Sequence, residues 1–171
     1  MARRGMEPGN ICYDTHMNFS KEKQEELVRR AMELAAQTAA AGNRPFAALL
    51  VDADGAVVLE DVNTVTTGTN VAAHAEINLL FQAAQKLHIR DLSSYALVSN
   101  AASCPMCATA LIKAGVTNFY YGAPNEATMV PSITMEEVIA KTPHPVNVHG
   151  NVLANECSGQ IKQLSGLRQA L

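Results

Sequence analysis

His74-Ala75-Glu76 and Cys104-Pro105-Met106-Cys107 are the two stretches on which the reading of this chain turns. Each opens a segment whose apolar residues recur at helical spacing. Behind the first come Ile77, Leu80, Phe81, Ala84 and Leu87, over about 72–87. Behind the second come Ala108, Leu111, Ile112 and Gly115, with Pro105 where a first-turn proline is well tolerated. Residues 95–99 between them read as a strand. Helix, strand, helix in that order is a crossover unit, which is right-handed in nearly all proteins. The two helices then lie on the same side of a sheet, and their N-termini can meet above its edge.

Working outward, residues 46–51 form a continuous apolar run that predicts a strand buried on both faces. Asp52-Ala53-Asp54-Gly55 is a turn, and residues 57–63 are the returning strand of a hairpin. A polar stretch, 64–70, leads to the His motif, and residues 118–122 give a strand after the Cys helix. The order β-β-α-β-α-β is a layered α/β plan whose last three strands run mutually parallel. Ahead of it, Ser20 can cap a helix over about 21–41 that Gly42 ends. Leu27, Ala31, Leu34, Ala35 and Thr38 mark its buried face, with Glu25–Arg29 and Glu26–Arg30 as i,i+4 pairs on the wet side. In the tail, Thr134 and Glu137 predict a capping box before a short helix. A fifth strand is expected at 146–148 and a final helix over 156–167. We read the chain as a single domain, 1–171, with an irregular arm at 1–18 and a variable C-terminal part from 124 onward.

A hydrophobic content of 48% in 171 residues is enough for a full core, which must be aliphatic because Trp is absent. The net charge of −3 argues against a surface built for phosphate backbones, so nucleic acid is not the expected partner. No apolar run suits a membrane span, and the start lacks the apolar core of a secretory signal, so the expected location is cytoplasmic. Cys12 and Cys157 stand alone and read as reduced thiols.

Singly, each motif is ambiguous. A Cys-x-x-Cys could be a redox pair or half of a structural zinc clip. A clip needs two more ligands, and His144 and His149 lie in a proline-broken segment with no helix to hold them. Combined, the motifs supply one imidazole (His74), two thiolates (Cys104 and Cys107) and a carboxylate (Glu76) that need not bind metal. Both open a helix, where backbone N–H groups and the dipole favour thiolate. Three protein ligands leave the fourth zinc position for water, and Glu76, two residues after His74, stays within reach to move its proton.

These motifs resemble those of the zinc-dependent cytidine deaminase superfamily, over about residues 25–125. The detail is most similar to the branch holding guanine deaminase and related cytosine and adenosine deaminases: Pro45-Phe46, then Asn63, then Ala73-His74-Ala75-Glu76, then Cys-Pro-Met-Cys. The resemblance implies a three-layer α/β/α sandwich with a central mixed five-stranded sheet. It implies one zinc per subunit on His74, Cys104 and Cys107, Glu76 as the acid/base, and at least a homodimer. Asn63 matches the family asparagine that hydrogen-bonds the base, and Ala75 lies within the matching motif on the substrate side. Phe46 could pack on a flat ring or serve as a core residue. The family's usual Glu-Pro before the first Cys is replaced by Ala102-Ser103. Ser103 keeps a carbonyl that can accept from the substrate amine, while Ala102 lacks a supporting carboxylate. Ala47 and Val71 also depart from the usual Gly and Pro.

The implied activity is hydrolytic removal of an exocyclic amine from a nucleobase or nucleoside, guanine-deaminase-like first. Alternatives are a cytosine or nucleoside deaminase, a transfer-RNA adenosine deaminase, and a non-catalytic zinc protein of the same fold. Asn125, Glu126 and Met129, or the C-terminal segment, are expected to close the pocket. Of Tyr120 and Tyr121, at most one should face it.

Overall fold

The computed structural model describes residues 16–125 and 131–166. Five strands form one sheet: β1 (Ala47–Val51), β2 (Val57–Val62), β3 (Ala96–Ala101), β4 (Asn118–Ala123) and β5 (Asn147–His149), in the order β2-β1-β3-β4-β5. β1 is antiparallel to both β2 and β3, whereas β3, β4 and β5 are parallel. β2, β3 and β4 therefore share one direction, as the crossover rule requires.

Helices cover both faces. α1 (Lys21–Ala40) and α5 (Ala154–Gly166) lie on one, and α2 (Ala75–Gln82), α3 (Pro105–Lys113) and α4 (Met135–Ile139) on the other. The alternation of β1 divides the core between them. Ala47, Leu49 and Val51 join Leu27, Val28, Ala31 and Ala35 of α1, while Ala48 and Leu50 join Leu79 of α2 and Leu111 of α3. All five residues of β1 are buried, so the apolar run of this strand follows from its central place. The fold is thus the mixed, three-layer α/β/α sandwich expected. Tyr120 and Tyr121 point to opposite faces, Tyr120 among the α1-side residues and Tyr121 bonding Glu136 of α4.

Local signals act as their chemistry dictates. Ser20 accepts from the backbone of Lys23 at the head of α1, and Gly42 follows its end at φ +94°, a value that suits glycine. Thr134 and Glu137 form the reciprocal capping box of α4. α5 lies close on β4 because Gly122 has no side chain: a Cβ there would fall 2.3 Å from Cys157 Sγ and 2.7 Å from the Asn100 carbonyl. Burial pushes the Cys157 thiol up to about 11, so it stays protonated and inert. Cys12 lies outside the described residues.

Three expectations are corrected. The first helix of the crossover is shorter than 72–87: α2 ends at Gln82 and a π-helical turn, Ala83–Leu87, completes it. Its inward stripe is also rotated. Ala75, Glu76, Leu79 and Ala83 are buried, whereas Phe81 is 64% exposed and Ala84 is exposed. The helix phase is set by turning Glu76 inward, which carries Phe81 out to the surface. The Glu26–Arg30 pair does not form: Arg30 binds Glu60 of β2 at 2.7 and 3.1 Å, and Glu26 meets Lys23 instead. Glu25–Arg29 forms as expected, at 3.3 Å. None of the helices among the described residues is long and apolar enough to cross a membrane.

Candidate active site

The strand directions decide which residues meet. β2 and β3 both end at one edge of the sheet, and β1, running the other way between them, begins there. Pro45-Phe46 before β1, Asn63 after β2 and Ser103-Cys104 after β3 therefore gather at one edge. Asn63 donates its backbone N–H to the Phe46 carbonyl at 2.9 Å. Buried Asn100 bonds both the Ala47 N–H and the Pro45 carbonyl, clamping β1 to β3. Asn78 of α2 donates to the Val62 carbonyl and to Thr64 Oγ1, fixing that helix to the end of β2.

His74 and Cys104 occupy the same place on their respective helices. Each is the N-cap, with extended dihedrals (φ −73°, ψ 154° and φ −68°, ψ 164°), and neither side chain caps its own helix. The two side chains turn toward each other instead. His74 Nδ1 lies 3.5 Å from Cys104 Sγ and 3.5 Å from Cys107 Sγ, and the two sulfurs are 3.5 Å apart. A tetrahedral zinc with Zn–S about 2.3 Å and Zn–N about 2.0 Å holds such donors roughly 3.5–3.8 Å apart. The triangle therefore fits a zinc ion, and two soft thiolates with an imidazole are a donor set zinc prefers.

The charges of the cluster are interlocked. The Cys104 thiol is pulled down to about 4, first by a hydrogen bond from Cys107 and then by one from His74. The same Cys107–Cys104 bond, with burial, pushes Cys107 upward. His74 is raised by its bond to Cys104, against the opposing effects of burial and of the Arg44 charge. These shifts favour a thiolate at Cys104 and protons on Cys107 and His74, and zinc binding displaces whatever protons its ligands hold. We expect zinc binding at pH 7 to release roughly one to two protons. The expected sign follows: affinity falls as pH falls. Calorimetry in buffers of different ionisation enthalpy measures the release, and a value of zero would contradict this charge arrangement.

Glu76 is buried beside the triangle, and burial is the largest cause raising its carboxyl above the ordinary range. Burial thus favours its protonated form, the direction suited to a group that takes and returns a proton. Asn63 is 1% exposed; its Oδ1 accepts from the Val65 N–H, and its Nδ2 makes no hydrogen bond among the described residues. Phe46 is half-buried and belongs to neither core cluster. The Ala75 side chain is core, packed with Ala48 and Leu79, so only its backbone is left to face a ligand. Ser103 is buried, and among the described residues its Oγ has no hydrogen-bond partner.

Two features escaped the sequence reading. Arg44 lies close enough to His74 to oppose its protonation, and only its position next to Pro45-Phe46 hinted at this. Asn125 donates to the carbonyls of Ala102 (3.1 Å) and Ser103 (3.5 Å) and accepts from the Met135 N–H, joining the Cys loop to α4. It was expected only as a residue of a closing loop. Glu126 and Met129 lie outside the described residues. His149 stacks on Tyr120 with ring centroids 4.5 Å apart, a packing role away from the triangle.

A Cys₂His triangle at the heads of two crossover helices, with a protonatable carboxyl beside it, marks the class of zinc-dependent deaminases. The chain belongs to the cytidine and deoxycytidylate deaminase family: the model of that family's zinc-binding region matches residues 21–123. Its relatives include the guanine deaminase of Bacillus subtilis, 35% identical over 58% of this chain and 64% of that protein. The chain thus spans somewhat under two-thirds of that relative. The tRNA-specific adenosine deaminase of Haemophilus influenzae is 30% identical over 82% of each chain. Among solved structures, one in complex with 2,6-diaminopurine is 26% identical, with a TM-score of 0.72, covering 84% of this chain and 82% of that one. Such relatives are hydrolases of C–N bonds, and an aminohydrolase activity is consistent with every group described above.

Proposed function

We propose that this chain removes the exocyclic amine from a free nucleobase by hydrolysis, with an amino-purine of the guanine type as substrate. The observation that carries the reading is Glu76, a buried carboxyl with a raised pKa beside three donors spaced for zinc. Held by His74, Cys104 and Cys107, zinc would supply a Lewis acid and a water acidic enough to ionise near neutral pH. Glu76 takes the proton of the attacking water and passes it to a ring nitrogen. It then carries the proton of the hydroxyl now on the ring carbon to the amine, so that the C–N bond breaks, ammonia leaves and the ring carbon keeps a carbonyl. Asn63 Nδ2, which makes no hydrogen bond among the described residues, donates to an acceptor on the ring edge. Phe46, half-buried and outside both cores, packs on the ring face. The Ser103 carbonyl accepts from the departing amine.

The purine preference is supported by the similarity to a guanine deaminase and to a structure holding 2,6-diaminopurine. Action on transfer-RNA adenosine is a second reading, favoured by the even coverage of the Haemophilus influenzae relative. The net charge of −3 weighs against it. We place the enzyme in the cytoplasm, as a homodimer, following the family resemblance. Ammonia release from zinc-loaded protein, assayed with guanine, cytosine, adenine, their nucleosides and an adenosine-bearing RNA hairpin, tests the proposal. Turnover of guanine above the rest is expected. Turnover of the hairpin alone would replace the base reading by the RNA one, and no ammonia from any substrate would leave a zinc-binding fold without this chemistry.

A further inference from the structure

Between β3 and Cys104 the chain crosses residues 102 and 103, and each peptide plane on that path is held from the end of β4. The 101–102 plane gives its Ala102 N–H to the Ala123 carbonyl at 2.8 Å. The 102–103 plane presents the Ala102 carbonyl, which accepts from Asn125 Nδ2 at 3.1 Å. The 103–104 plane presents the Ser103 carbonyl, which accepts from the same nitrogen at 3.5 Å. Peptide planes are stiff, so a bond to one polar group restrains the whole unit. Cys104 then caps α3, its carbonyl accepting from the Ala108 N–H at 2.9 Å.

Asn125 is itself anchored. Its Oδ1 accepts at 3.1 Å from the N–H of Met135, a core residue that opens α4. With the oxygen committed to a donor, the amide turns its N–H groups toward the two carbonyls. The Ser103 side chain gives the loop no such support: its Oγ makes no hydrogen bond among the described residues. Covalent geometry gives none either, because serine leaves φ free where a proline ring would lock it at about −65°. The direction of the Ser103 carbonyl therefore depends on Asn125.

We propose that Asn125 is a positioning residue for the reaction: its amide keeps the Ser103 carbonyl turned toward the amine of the bound ring. A carbonyl oxygen has two lone pairs, so the bond from Asn125 leaves one for the amine. This role rests on the Ser103 carbonyl as the acceptor of the departing amine. Asn125 acts through that carbonyl, so its loss should weaken the amine contact and leave the contacts to the rest of the ring in place.

Two variants separate the arms of the amide. Asn125→Asp keeps an acceptor for the Met135 N–H and loses both donors to the loop, whereas Asn125→Ala loses all three bonds without adding charge. Both are loaded with zinc and compared with the parent in kcat and KM for guanine. The Ki of hypoxanthine, the same ring with hydrogen in place of the amine, is measured beside them. For both variants we expect one zinc per chain, hypoxanthine Ki within about twofold, and kcat/KM for guanine lower by about 3- to 10-fold, the range for one hydrogen bond between neutral groups. If the parent prefers adenine, purine takes the place of hypoxanthine with the same expectation. An unchanged kcat/KM would overturn the proposal. So would lost zinc, or a Ki that rises as far as kcat/KM falls, since either marks a general loosening of the site. If the parent turns over no heterocycle, the deaminase reading fails on its own account, and crystals of zinc-loaded Asn125→Ala decide for Asn125. A Ser103 carbonyl turned from its parent direction sustains the positioning role, and one unmoved overturns it.

Discussion

Zinc-loaded Glu76→Gln protein is expected to keep its metal and its fold and to lose about 10²–10⁴-fold in kcat, the contribution typical of a positioned acid/base. Glutamine matches the shape of glutamate, so the helix start and the core around Ala75 and Leu79 are undisturbed. It cannot accept and return a proton. The loss should fall on kcat with KM little changed, because on the proposed mechanism Glu76 acts on the water and the ring nitrogen during reaction rather than anchoring the ring. The burial that raises the Glu76 carboxyl makes the variant no less stable, since an uncharged amide avoids the desolvation that a carboxylate meets there. Steady-state kinetics with metal analysis checks this. A variant with full zinc and near-normal turnover would remove Glu76 from the mechanism.

The second large effect is expected from the ligands themselves. Cys107→Ala should abolish stoichiometric zinc binding and bring turnover to background. Cys107 is fully buried in the first turn of α3, and two donors do not make a closed zinc site. Stability should fall as well. A ligand bound only by the folded state stabilises it by about 2.7 kcal/mol at one hundred times its Kd, and that linkage disappears with the ligand. Thermal melts with and without added zinc separate the contributions. The parent protein should gain several degrees from zinc, whereas Cys107→Ala should gain none. An equal gain in both would mean that the stabilising metal sits elsewhere.

How far the sequence could be read depended on the range of the interactions involved. The Cys104–Cys107 pair was legible because one helical turn fixes its geometry whatever surrounds it. The caps at Ser20 and Thr134 and the turn at Gly55 are local in the same sense. The meeting of His74 with Cys104 followed from a general rule of handedness, so it too could be anticipated. The gathering of Phe46 and Asn63 at the same edge could not be read from residues alone. It depends on β1 lying antiparallel between β2 and β3, and only the family resemblance pointed to it. The phase of α2 was misread for a physical reason. Hydropathy sorts Phe81 inward and Glu76 outward, while the site requires the glutamate inside. The choice of Arg30 for Glu60 over Glu26 was equally hidden, because the partner strand lies thirty residues away. Asn125 and Asn100 work through hydrogen bonds to distant carbonyls, and a lone asparagine carries no mark of such a task.

The donor triangle has a consequence for what the pocket can attract. Two thiolates and a neutral imidazole around a divalent cation sum to a formal charge of zero. The filled centre therefore projects little net field into the cleft, and an uncharged heterocycle enters without being steered or repelled over long distances. On the proposed reading, discrimination among flat, neutral rings is then left to short-range fit: which edge meets Asn63 and which face meets Phe46.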